Sequence, residues 1–183
     1  MKPSTARFFL HLFGWKAVEG VVPEKKCIIL GVPHTSILDF VISYLYYTSV
    51  GGRARIMIKK EFFKGPAGWL LVRLGAVPVD RSNASALVVS LIKHFDEVDT
   101  FHLCLAPEGT RKPVHRWKTG YHMIALKVGC PVYMGYFDWK KKIVGRGEKF
   151  ELTGDARADT DRLQRLYEEK HYTARHPEKY VTK

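Results

Sequence analysis

Three short segments, each placed where an apolar run gives out, hold the residues best suited to chemistry. The first is Pro33-His34-Thr35-Ser36-Ile37-Leu38-Asp39, which follows Cys27-Ile28-Ile29-Leu30-Gly31-Val32. An imidazole and a carboxylate in one stretch suggest a dyad. The carboxylate fixes the ring tautomer, and the other ring nitrogen takes a proton from a hydroxyl. On one continuous helix a spacing of five leaves His34 and Asp39 about 140° apart, so only a bend with His34 in the loop brings them together. The same residues also read as plain helix capping, with Ser36 as N-cap and Asp39 in the first turn. Spacing alone leaves both readings open.

The second segment, Ala106-Pro107-Glu108-Gly109-Thr110-Arg111, follows the apolar run Phe101 to Leu105. Gly109 allows close backbone approach, Thr110 offers a hydroxyl, and the planar fork of Arg111 suits a phosphate or a carboxylate. Taken alone it also describes an ordinary Pro-Glu-Gly turn with a solvated Arg. The third, Gly75-Ala76-Val77-Pro78-Val79-Asp80-Arg81, again sets charge after a short strand, and a surface Asp–Arg pair is its plain reading.

Apolar runs alternate with amphipathic stretches along the chain. Strands are expected at 27–32, 54–58, 77–79, 101–105 and 132–137, and helices at 36–49, 67–74, 83–97, 120–128 and 159–172. Lys142 to Gly145 and Lys149 to Leu152 flank Arg146-Gly147-Glu148, which suggests a hairpin. The tail after Ala174 is polar and reads as frayed. Such alternation implies one α/β domain with a mixed, mostly parallel sheet flanked by helices. Ligands on such sheets sit at the carboxyl ends of the strands, where the three segments fall. The single domain spans residues 1–183, with an amphipathic N-terminal segment at 1–20, the motif-bearing core at 27–137, and hairpin, last helix and tail at 138–183.

Together the segments resemble the glycerolipid acyltransferase family. Its His, four variable residues and Asp are matched by His34 and Asp39, and its Gly-rich strand ending in Arg by Gly75 to Arg81. Its Pro-Glu-Gly-Thr-Arg element is present residue for residue from Pro107 to Arg111, and Lys118-Thr119-Gly120 looks like the family's Lys-x-Gly. Pro33 stands where many members have Asn, and the two-proline fourth block keeps only Pro131, with Gly135 near the second position. The resemblance implies transfer of an acyl group from acyl-CoA or acyl carrier protein to the hydroxyl of a lyso-lipid. The acceptor expected first is 1-acylglycerol-3-phosphate, with another lyso-phospholipid or a lyso-aminolipid as the alternative. His34 is the expected general base and Asp39 its partner. Arg111, Arg81, Glu108, Gly109, Thr110 and Lys118 are the expected acceptor site. No cofactor or metal is implied.

Composition agrees with a partner that carries negative charge. The 183 residues hold 30 Lys+Arg and 18 Asp+Glu, a net +12, in an otherwise globular mixture. Phe8, Phe9, Leu12, Phe13 and Trp15 cluster between Arg7 and Lys16, and Phe62, Phe63 and Trp69 between Lys60 and Arg73. Both groups are candidates for contact with an anionic membrane surface, packing on the domain being the plain reading. The N-terminus has too short an apolar stretch and no cleavage site for a signal peptide, and no run without charged residues is long enough to span a bilayer. The expected location is therefore cytoplasmic, peripheral on the inner face of the membrane. Cys27, Cys104 and Cys130 read as buried thiols. A basic nucleic-acid-binding module is the distant alternative, but no such motif is present and the basic residues are dispersed. His94, His102, His115 and His122 lack metal-ligand spacing, and no nucleophile elbow is present.

Overall fold

The computed structural model describes residues 1–73, 75–79 and 84–181. In chain order the elements are α1 (Pro3–Leu12), β1 (Lys16–Ala17), β2 (Lys26–Leu30), α2 (Ile37–Ser49), β3 (Ala54–Lys59), α3 (Gly65–Arg73), β4 (Ala76–Val79) and α4 (Ala84–Glu97). Then follow β5 (Phe101–Leu105), α5 (Gly120–Val128), β6 (Val132–Tyr133), β7 (Tyr136–Asp138), β8 (Ile143–Gly145), β9 (Lys149–Phe150) and α6 (Ala156–Lys170). Single 3-10 turns occupy Lys60–Phe63 and Pro177–Lys179.

The larger sheet runs β4-β3-β5-β2-β6-β9, all parallel except the edge pair β6–β9. Residues of β2 alternate between two cores, as a strand covered on both faces must. Ile28 and Leu30 join Leu91, Phe95, Leu103, Tyr121 and Leu163 beneath α4, α5 and α6, whereas Cys27 and Ile29 join Leu10, Ile42, Leu45 and Tyr47 beneath α1 and α2. Central β2 and its neighbour β5 run side by side from Lys26↔Phe101 to Leu30↔Leu105. The loops after them, residues 31–36 and 106–119, therefore open onto the same crevice.

Several expectations change here. The run 132–137 is not one strand. It breaks at Met134-Gly135, so that β6 stays in the large sheet and β7 enters a second sheet of order β1-β8-β7. Backbone crowding explains the break, because a Cβ at Gly135 would lie 2.4 Å from the Leu30 carbonyl oxygen. The expected hairpin is likewise absent: β8 pairs antiparallel with β7, and β9 with β6. The return segment thus follows the broken strand, and each half finds its partner in a different sheet. Nor is the tail frayed: the His176 N–H donates to Thr35 Oγ1 at 3.2 Å, and Tyr180 packs against the core. The three cysteines are free, Cys27 and Cys130 buried and Cys104 partly so. Burial pushes their thiols up, to about 12 for Cys104 and about 11 for Cys130.

Candidate active site

His34 lies in the loop between β2 and α2. Gly31 starts that loop by donating its N–H to the Leu105 carbonyl, and Ser36 closes it as the helix N-cap, accepting from Leu38 N–H at 3.2 Å. The bend puts His34 Nδ1 3.4 Å from Asp39 Oδ2. Contacts of that length are common in unliganded catalytic sites and tighten when substrate binds. Asp39 also accepts the N–H groups of Thr35 and Ser36 on Oδ2, at 2.8 and 2.7 Å. Capping and dyad are therefore one arrangement, in which the carboxylate that caps α2 also orients the imidazole.

A wholly buried carboxylate costs several kcal/mol unless its oxygens are satisfied. Asp39 is satisfied on both: its second oxygen, Oδ1, accepts the indole N–H of Trp139 at 2.9 Å. Sequence reasoning missed Trp139. The signal was present, since Trp139 directly follows β7 just as the other polar tips follow their strands.

Glu108 occupies a different role from the one expected. Its carboxylate is buried, 4% exposed, and accepts the His34 backbone N–H at 2.9 and 3.1 Å. It braces the His34 loop from behind and lines no part of the main cavity. Burial, against the pull of the His34 N–H and with the charge of Asp39 adding to it, pushes the Glu108 carboxyl up to about 8.

That cavity has a volume of about 630 Å³ and begins at His34 and Asp39. Its walls come from both faces of the sheet, Phe40, Tyr46 and Ile56 on one side and Leu87, Leu91 and Ile124 on the other. Gly109, Thr110, Arg111 and Lys118 form its polar rim. Gly109 takes a φ of +71°, and the stem of Lys118 lies over it, 3.1 Å from where a Cβ would stand. The Lys118 N–H donates to the Pro107 carbonyl at 2.7 Å and fixes this fold-over. Arg111 and Lys118 are exposed and both line the cavity. Arg81 lies outside the described residues.

Of the candidate membrane contacts, Phe8, Leu12 and Phe13 are more than half exposed and Phe9 is 39% exposed, while Ala6 and Leu10 on the same helix are buried. Phe62 and Trp69 are also exposed and Phe63 is half-buried. Trp15 overturns its expectation. It is 1% exposed, because its ring packs perpendicular to that of Trp139 with centroids 4.9 Å apart and carries Lys142 over it.

Comparison with known proteins bears on the family and the fold. The 1-acyl-sn-glycerol-3-phosphate acyltransferase of Pseudomonas aeruginosa is 29% identical over 116 residues, which are 61% of this chain and 44% of that protein. The chain thus spans less than half the length of that curated relative. The crystal structure of the 1-acyl-sn-glycerophosphate (LPA) acyltransferase PlsC from Thermotoga maritima superposes with a TM-score of 0.62, covering 94% of this chain and 80% of that one. Identity there is 17%, so the likeness is one of fold. The Acyltransferase family model matches residues 17–134, a span that takes in both His34 and the loop after β5. On that match, which covers more than half of its length, the chain belongs to the Acyltransferase family.

Proposed function

We propose that the protein transfers a fatty acyl group from acyl-CoA or acyl carrier protein to the hydroxyl of a lyso-lipid, 1-acylglycerol-3-phosphate being the acceptor that fits best. The single observation carrying this reading is a His–carboxylate dyad at the mouth of a large apolar cavity with a cationic rim. With Nδ1 turned to Asp39, His34 offers Nε2 to the acceptor hydroxyl. It takes the proton as the alcohol oxygen attacks the thioester carbonyl carbon, and Asp39 stabilises the imidazolium that forms. Collapse of the tetrahedral intermediate breaks the C–S bond, and the departing thiolate recovers the proton from His34. The thioester is already activated, so no covalent acyl-enzyme is required. Arg111 and Lys118 hold the acceptor phosphate, and the apolar walls take acyl chain.

Access to a lipid acceptor is supplied by the exposed face of α1, with Phe8, Leu12 and Phe13 at headgroup depth and Arg7 and Lys16 on anionic lipid. Among the described residues no helix is long and apolar enough to cross a membrane. The contact proposed is peripheral, on the cytoplasmic face where both thioester donors occur.

The test offers purified protein labelled acyl-CoA, or acyl carrier protein charged with the same chain, and lysophosphatidate in mixed micelles. Phosphatidate formation that is lost in His34→Ala is the expected result. A folded His34→Ala protein that keeps its turnover would sink the mechanism. Transfer to other lyso-lipids only would replace the acceptor. Sedimentation with phosphatidylglycerol vesicles but not with phosphatidylcholine vesicles is expected at low salt, and equal sedimentation with both removes the electrostatic contact.

A further inference from the structure

We infer that Trp139 is a positioning residue for the dyad, holding Asp39 in the one orientation from which it directs His34. This rests on the acyltransferase reading above. Asp39 has two oxygens with divided tasks: Oδ2 faces His34 Nδ1 and takes the loop N–H groups, and Oδ1 takes the Trp139 indole N–H at 2.9 Å. Without a donor on Oδ1 the carboxylate is held only by the Thr35 and Ser36 N–H groups on Oδ2, and it can pivot about that oxygen away from the orientation that directs Nδ1.

The indole is held in place independently of Asp39. Its backbone N–H donates to the Thr173 carbonyl at 2.9 Å, and Trp15 meets it edge-on at 4.9 Å with ring planes at 90°. Lys142 Nζ and the Arg175 guanidinium carbon lie over its ring at 4.8 and 4.9 Å. Lys142 takes a φ of +54°, uncommon for a residue with a side chain, and its carbonyl accepts the Lys16 N–H at 2.9 Å. Just before the indole, Asp138 is buried and accepts the N–H groups of Lys140 and Lys141, which fixes the turn. Contacts from the N-terminal segment, the turn after β7 and the C-terminal tail therefore converge on one ring whose only polar atom points at Asp39. A donor so pre-set costs nothing to organise at the moment of reaction.

Trp139→Phe keeps a ring and deletes the N–H. The expected result is a fall in kcat of about 10- to 100-fold, the usual worth of a hydrogen bond to a charged group, with KM nearly unchanged. The loss should disappear in a His34→Ala background, because Trp139 acts through His34. Nitrogen-15 NMR of the His34 ring gives a readout that needs no turnover. The wild type should show one neutral tautomer, with the proton on Nδ1, and Trp139→Phe a mixture. If Trp139→Phe does not fold, Asp39→Asn should still move the Trp139 indole N–H resonance upfield while those of Trp15, Trp69 and Trp117 stay. Normal kcat in Trp139→Phe, an equal loss with and without His34, an unchanged tautomer, or an indole resonance indifferent to Asp39→Asn overturns the assignment. A wild type that transfers no acyl group defeats the functional reading instead, and the tautomer still decides this one.

Discussion

Two histidine–aspartate pairs among the described residues use the same side chains to different ends. His122 Nε2 lies 2.9 Å from Asp159 Oδ2, and both side chains are 2% exposed. Asp159 further accepts the Thr153 hydroxyl and the Arg162 guanidinium, each at 3.0 Å. Its own burial works to raise its carboxyl, but the hydrogen bonds from Thr153 and His122 and the Arg162 charge hold it below the ordinary value. This pair ties α5 to α6 and lines no part of the main cavity. His34 and Asp39 are 3.4 Å apart, with the His34 side chain 27% exposed at the mouth of the crevice. The better hydrogen bond is thus the structural one. On the proposed mechanism, what makes a histidine–aspartate pair chemical is a second nitrogen facing space that a substrate can fill, not the quality of the contact.

That contrast breaks most sharply on paired substitutions. His34→Ala should lower kcat by about 10²- to 10⁴-fold, as loss of a general base does, and leave the urea midpoint nearly unmoved. Matched kinetic and unfolding curves check both halves. His122→Ala should do the opposite: unfolding free energy falls by about 3 kcal/mol, because a buried aspartate loses one of its partners and a cavity opens between α5 and α6, while kcat stays within about threefold. Equal effects on turnover from the two substitutions would erase the distinction.

A smaller effect separates the carboxylates that serve the two pairs. Glu108 has a folded value of about 8 against an ordinary 4.5, so the folded protein binds its proton more tightly than the unfolded chain does. Its contribution to stability is full below pH 4.5 and is lost as the pH rises towards about 8. Asp159 runs the other way: its contribution is present above the unfolded value and is lost as the pH falls through its depressed folded value. Urea midpoints across this range should show Glu108→Gln lacking the decline between pH 4.5 and 8 that the wild type shows. A Glu108→Gln slope parallel to the wild type would place that decline elsewhere.

The sequence carried the His34–Asp39 corner well because its information is local. A strand, a loop, a capping serine and an aspartate in the first helical turn follow from neighbouring residues, and so do His34 and Asp39. The elements of the large sheet were legible for the same reason, being runs of strand or helix periodicity. What was illegible depends on distant partners. Trp15 carries an interfacial composition, yet it is buried because Trp139 and Lys142 come from far along the chain to cover it. The run 132–137 has the alternation of one strand, and nothing in that alternation records that its halves pair in different sheets. Glu108 sits in a motif that resembles a ligand-binding turn, but its carboxylate is spent on the His34 backbone. The tail after Ala174 is polar, and its anchorage on Thr35 exists only once both segments are folded.

The break at Gly135 has a consequence for anyone wishing to re-engineer the molecule. It is the seam at which one strand is handed from the large sheet to the small one, and the backbones on either side lie too close to admit even a methyl group. Trp139 directly follows the strand that leaves this seam, so packing errors there would be delivered to Asp39 without touching it. The rim loop carrying Thr110, Arg111 and Lys118 follows β5, a different strand of the large sheet. On the proposed mechanism, acceptor preference and proton transfer are in this sense separately addressable: the rim is open to exchange, while the seam is where redesign should leave the chain alone.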